Sequence, residues 1–130
     1  MDTIRTRPDR VLPYCFTSLS AEVARQCIEE WSGWRDYDHG DRADACHRMA
    51  VLIDLGAQQA AIVLERRTGH PVAPWSPKRH RQKLARELYA MTEDNPEDLP
   101  RATITRIRIE VERPWTTWAR QNGKDTTLCP

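Results

Sequence analysis

The chain has 130 residues, which suits one domain with a single core and leaves no room for two. Hydrophobic residues at 39% and charged residues at 30% argue against a wholly disordered or collagen-like chain. The longest unbroken apolar runs, Met49 to Ile53 and Ala60 to Leu64, fall far short of the ~20 residues that cross a bilayer. The net charge of +1 hides blocks that cancel. Residues 29–44 carry −4, residues 76–91 carry +4, and Glu93, Asp94, Glu97 and Asp98 return −4. Segregation of this kind creates local fields that steer partners.

Residues 1–10 read as a basic, mobile lead-in, with Arg5, Arg7 and Arg10 but no apolar stretch behind them to form a signal-peptide core. The expectation is a soluble, cytoplasmic protein with no membrane contact. Val11 to Phe16 reads as a short edge strand, because Pro13 cannot donate to a ladder. A helix is predicted from about Ser20 to Trp34, capped by Ser18 or Ser20, with Val23, Cys27, Trp31 and Trp34 forming its apolar stripe.

The strongest periodicity runs from Asp41 to Arg67. Ala43, Cys46, Ala50, Ile53, Ala57, Ala60 and Leu64 recur in steps of three and four, which predicts a long central helix. Arg66 and Arg67 complement the dipole at its end, Gly69 suits the left-handed position beyond it, and Pro71 blocks continuation. Gly56 lies on the apolar side, where another element can approach the backbone closely. A break into two helices at that point is the alternative.

Ser76-Pro77 forms a capped helix start with proline in its preferred first position, and this helix is expected to run to about Met91 before Asn95-Pro96. Its second half carries Leu84, Leu88 and Met91. Its first half is polar all round and is expected to project into solvent. From Ala102 to Glu112, Thr103, Thr105, Ile107, Ile109 and Val111 alternate with polar residues, which predicts a half-buried strand pairing with Val11 to Phe16. Residues 114–121 read as a closing helix and 124–130 as a mobile tail. The expected fold class is therefore α+β and predominantly helical: one compact domain over residues 1–130, with a long central helix packed by three other helices and a small two-stranded sheet from the chain ends.

Familiar catalytic and metal motifs are missing. The acidic loop from Asp36 puts Gly40 and Asp41 out of register for an EF-hand, and His47 stands where the terminal glutamate is needed. Cys27, His39, Cys46 and His47 lack paired zinc-ligand spacing, and the adjacent Cys46 and His47 point about 100° apart on a helix. No nucleophile elbow, P-loop or dinucleotide glycine fingerprint occurs. The four cysteines make no C-x-x-C pair and read as small buried hydrophobes rather than a disulfide scaffold. No catalytic residue, metal ligand or cofactor is assigned.

The helix at 76–91 inverts the usual charge preference. Helix dipoles favour acids at the amino end and bases at the carboxyl end. Here Lys78, Arg79 and His80 crowd the start, and Glu93 and Asp94 follow the finish. Free amides reinforced by Lys78, Arg79, His80, Arg81, Lys83 and Arg86 make a candidate surface for an anion or an acidic partner. The competing interpretation pairs these charges with the chain's own acids. A second candidate interface combines Glu30, Asp36, Asp38 and Asp41 with Trp34 and Tyr37, aromatic anchors rimmed by carboxylates.

These surfaces point to a non-enzymatic protein-binding module, an inhibitor or regulator of a nucleic-acid-handling complex. In size and character alone, the chain resembles small accessory proteins of bacteria and their mobile elements, among them anti-CRISPR proteins. The alternative is a nucleic-acid-binding regulator that uses residues 76–86. An enzyme with a site assembled only in space is the third reading. Oligomeric state stays open.

Overall fold

The computed structural model describes residues 16–33, 42–72 and 75–124, and every extended element among them is helical. Helix α1 spans Phe16–Gly33 and α2 spans Arg42–Thr68. Helix α3 spans Pro77–Met91. After a 3-10 turn at Pro96–Asp98, α4 (Leu99–Ile107), a π-helical segment (Arg108–Glu112) and α5 (Arg113–Gln121) follow without interruption as one rod.

Helix α1 buries Leu19, Val23, Cys27 and Trp31, a four-residue spacing that forms one stripe. It begins earlier than the sequence suggests, so neither Ser18 nor Ser20 is its cap. The buried Ser20 hydroxyl instead donates to Glu112 at 2.9 Å. Helix α2 is the continuous central element that its periodicity predicts, and nearly all of the predicted stripe, from Cys46 to Leu64, is buried. Ala43 is exposed. Beyond Thr68, Gly69 takes φ +72°, and its N–H donates to the Glu65 carbonyl at 2.8 Å. That left-handed closure is what glycine permits most cheaply.

At Gly56 the helices come closest. A Cβ added there would lie 2.6 Å from Val23 Cγ2 and 3.4 Å from Val111 Cγ2. The missing side chain lets α1 and the π-helical segment approach one side of α2, and no break in α2 is needed.

Helix α3 starts as expected: the Ser76 side chain accepts from the Arg79 amide at 3.4 Å, with Pro77 first in the helix. It runs antiparallel to α2. Arg42 at the start of α2 donates to the Tyr89 carbonyl at 2.7 Å and to Thr92 Oγ1 at 3.0 Å, with its guanidinium 3.6 Å over the Tyr89 ring. Leu84 and Leu88 enter the core.

The predicted sheet is overturned. Residues 102–112 form α4 and the π-helical segment, and no strand occurs among the described residues. Residues 11–15 of the proposed partner strand lie outside the described residues, and Phe16 belongs to α1. Leu99, Thr103, Ile107, Val111, Trp115 and Ala119 are all buried. Their four-residue spacing turns one helical stripe toward α1 and α2, and burying it outweighs the few tenths of a kcal/mol that each β-branched residue costs a helix. The fold is therefore helical rather than α+β.

The π-helical segment has a local cause. Pro114 has no N–H to give the Glu110 carbonyl, and its ring would crowd that oxygen in a regular helix. The chain widens instead: the Arg113 N–H donates to the Arg108 carbonyl, five residues back. This turn presents Glu110 toward the start of α3.

Candidate functional site

Asp54 sits in the middle of α2, fully buried between Ile53 and Leu55. An ionised carboxylate at such a place must be paired or give up its charge. Its Oδ2 accepts from Arg81 Nε and from Gln58 Nε2, each at 2.8 Å. Its Oδ1 accepts from Trp75 Nε1 at 3.0 Å and contacts His80 Nδ1 at 2.5 Å. The other ring nitrogen, His80 Nε2, lies 2.8 Å from Glu110 Oε1. Arg106 then donates to Glu110 Oε2 at 2.6 Å and pairs with Glu87 at 3.1 Å.

The result is a chain of alternating charge running Arg81, Asp54, His80, Glu110, Arg106, Glu87. It ties the first turn of α3 to the centre of α2 and to the π-helical segment. With a carboxylate against each ring nitrogen, His80 is assigned as imidazolium, because both nitrogens then donate. Hydrogen bonds from its ring to Asp54 and then to Glu110 raise its pKa to about 9 against the opposing effect of burial. Burial by itself would push the Asp54 carboxyl up, but the bonds from His80, Trp75, Arg81 and Gln58 outweigh it and hold the group at about 2. The bond from His80 lowers Glu110 against burial, and the charges of His80, Arg106 and Lys83 lower it further. At neutral pH His80 has no lone pair to offer a metal or a substrate proton, so the arrangement locks charge in place.

The network also accounts for His80 and Arg81 at the start of α3. Asp54 and Glu110 supply from neighbouring helices the negative charge that favours a helix start and that the first turn itself lacks.

Beside His80 lies a cavity of about 330 Å³, open to solvent and lined by Ala57, Ala61, Val72, Trp75, His80, Glu110 and Pro114. Its walls are mostly apolar. The indole of Trp75 is held by its bond to Asp54 and meets the His80 ring edge-on, with centroids 5.5 Å apart.

The predicted basic surface is divided by the fold. His80 and Arg81, expected to project into solvent, turn inward onto Asp54. Lys78, Arg79, Lys83 and Arg86 are exposed, and no ion pair holds them among the described residues. At 100° per residue these four cations share an arc of about 140° and extend over about 12 Å of helix.

Of the predicted acidic-aromatic surface, Glu30 alone lies among the described residues. Trp34, Asp36, Tyr37, Asp38 and Asp41 lie outside the described residues. Glu30 is half-buried, with Arg48 at 3.7 Å, and Asp44 pairs with the same arginine at 3.1 Å. Glu29 is taken by Arg25. Trp31 is buried in the core. Cys27 and Cys46 are buried free thiols as expected, and burial together with the Glu30 charge pushes Cys27 up to about 12. Cys15 and Cys129 lie outside the described residues.

Sequence reasoning missed Asp54, Trp75, Arg106 and Glu110 as members of one cluster. One signal was present: an acid in the centre of the most apolar helix requires a cation from elsewhere in the fold. Glu110 carried no such signal, since its place in an alternating segment gave it an outward face.

Comparison of the chain with protein-family models, with curated proteins and with solved structures finds no match. No group of three or more His, Cys, Asp or Glu side chains suited to a metal occurs among the described residues. No helix among them is long and apolar enough to cross a membrane.

Proposed function

We propose that this chain is a non-enzymatic binding protein, an inhibitor or regulator that docks an acidic partner protein against the outward face of α3. The observation that carries this reading is the division of charge on that helix. His80 and Arg81 are consumed by Asp54 and Glu110, whereas Lys78, Arg79, Lys83 and Arg86 stay exposed on one face. Cations carried on an anchored helix meet a complementary surface with little loss of backbone freedom, which favours fast and specific association.

A nucleic acid is the second reading, because the same four cations suit phosphates. The exposed acids Glu93, Asp94 and Glu97 favour a protein. They follow directly on α3 and would repel a phosphate track continuing past the helix end, whereas a protein can confine its acidic residues to the part that faces α3.

The test is capture from the native host with the wild-type chain and with a Lys78→Glu, Arg79→Glu, Lys83→Glu variant, read against thermal unfolding of both. A partner retained by the wild type and lost by the folded variant supports the reading, and equal retention removes α3 as the contact. A mobility shift titrated with salt separates the alternative: affinity falling steeply with salt and abolished in the variant would make the protein a nucleic-acid binder.

A further inference from the structure

The cavity beside His80 has a restricted hydrogen-bonding character. Asp54 accepts four bonds, from His80, Trp75, Arg81 and Gln58, which fills the acceptor sites of a carboxylate. Both N–H groups of His80 are taken by Asp54 and Glu110, and the Trp75 N–H is taken by Asp54. Glu110 differs. It accepts one bond from His80 and one from Arg106, is 19% exposed and lines the cavity, so it keeps acceptor capacity there. Among the described side chains that line it, the cavity thus offers acceptor sites and no free donor. An anionic ligand would find no hydrogen to accept from these side chains. A cationic one would face the charge of His80 directly, with the Lys83 charge also acting on Glu110.

The remaining walls, Ala57, Ala61, Val72, Trp75 and Pro114, are apolar, and the indole of Trp75 is fixed. A cavity of about 150 Å³ holds benzene. The volume here, about 330 Å³, is roughly twice that and suits a two-ring molecule. We propose that this cavity binds a small, neutral, flat aromatic molecule carrying one N–H or O–H donor, of the indole class, with the donor directed at Glu110 and the ring packed against Trp75 and the two alanines. The site is separate from the outward face of α3, so it stands whether or not that face docks a protein.

Indole itself is the probe, with 1-methylindole as the control that keeps shape and removes the donor. Binding to the full chain is followed by calorimetry and by the amide and indole N–H resonances. Indole is expected to bind at millimolar concentration or below and to shift the Trp75 indole resonance, with 1-methylindole at least about tenfold weaker because it forgoes a bond to a charged acceptor. Ala61→Leu, which fills the cavity and replaces no member of the charge network, is expected to abolish binding while thermal unfolding stays cooperative. No heat and no shift with the wild type, or unchanged affinity in the folded Ala61→Leu variant, overturns the site. Equal affinity for 1-methylindole overturns its assigned chemistry, and that comparison does not depend on any variant folding.

Discussion

Asp54 and His80, 26 positions apart in the chain, meet at 2.5 Å where the centre of α2 faces the first turn of α3, and the contact converts a basic helix start into part of the core. Arg81 and Trp75 reach the same carboxylate from either side of His80 in the sequence. The start of α3 is thereby anchored, and its outward cations are held on a fixed support. That division between inward and outward charge underlies both the proposed docking face and the cavity next to it.

The carboxylate should be the most sensitive polar position in the molecule. Asp54→Ala strands an imidazolium and a guanidinium against the core, and removing one partner of a buried pair typically costs about 3–5 kcal/mol. That is a large share of a small domain's stability. Denaturant unfolding is expected to show a loss of this size, with Asp54→Asn intermediate because the amide keeps some of the acceptor bonds.

Stability should depend on pH in two windows. The folded chain keeps the His80 proton that an unfolded chain releases, so this contribution is whole below about pH 6.5 and disappears as pH rises through about 9. Its size is roughly 3 kcal/mol at most. Asp54 acts at the other end: its contribution is present above about pH 3.8 and is lost as pH falls through about 2, and Glu110 adds in the same sense. Unfolding free energies of the wild type and of His80→Gln, compared at pH 6, 8 and 10, should converge as pH rises. Parallel curves would show that His80 does not carry the alkaline loss.

Neighbouring arginines on α3 should behave oppositely. Arg79 is exposed, so Arg79→Glu is expected to change stability by no more than about 0.5 kcal/mol. Arg81 donates to Asp54, and Arg81→Glu would set a second carboxylate beside a buried one, costing about 2 kcal/mol or more. Thermal melts of the two variants side by side provide the comparison.

Gly56→Ala sets helix propensity against packing. Alanine gains up to about 1 kcal/mol over glycine inside a helix. The 2.6 Å approach to Val23 Cγ2 forces a shift in a stiff, β-branched side chain, and overpacking typically costs about 1–3 kcal/mol. A net loss of about 1 kcal/mol is expected. In a Val23→Ala background the same change should become neutral or stabilising, because the obstructing methyl is gone. A double-mutant cycle measures this coupling directly.

Thr103 offers a stabilising change. Its buried hydroxyl has no hydrogen-bond partner among the described residues, and it faces a crevice between α1 and α4 with no space for water. Thr103→Val replaces an unsatisfied group by a methyl of the same shape and should raise the unfolding free energy by about 1 kcal/mol. An unchanged or lower melting temperature would mean that the hydroxyl is satisfied in solution.

The central helix, the Ser76 cap, the Gly69 closure and the close approach at Gly56 were legible in the sequence, because each depends on residues adjacent in the chain or one turn apart. The segment from Ala102 to Glu112 was misread for a related reason. Its β-branched residues alternate at a period of two, yet Thr103, Ile107 and Val111 also belong to a four-residue stripe that continues through Trp115 and Ala119. Which period prevails depends on whether a sheet partner or two helix faces lie opposite, and that is a question of tertiary packing.

The sequence by itself determined where the main helices of the first two-thirds of the chain run and that charge is segregated along it, since helix periodicity and charge order are properties of neighbours. Only the tertiary structure decided which of those charges are spent. Asp54 lies on α2, His80 on α3, and Glu110 and Arg106 one turn apart on the last rod, and ion pairing falls off so steeply with distance and solvent screening that the pairing between these three elements follows from assembly, not from position in the chain. The same assembly leaves Lys78, Arg79, Lys83 and Arg86 facing outward and opens the cavity beside His80.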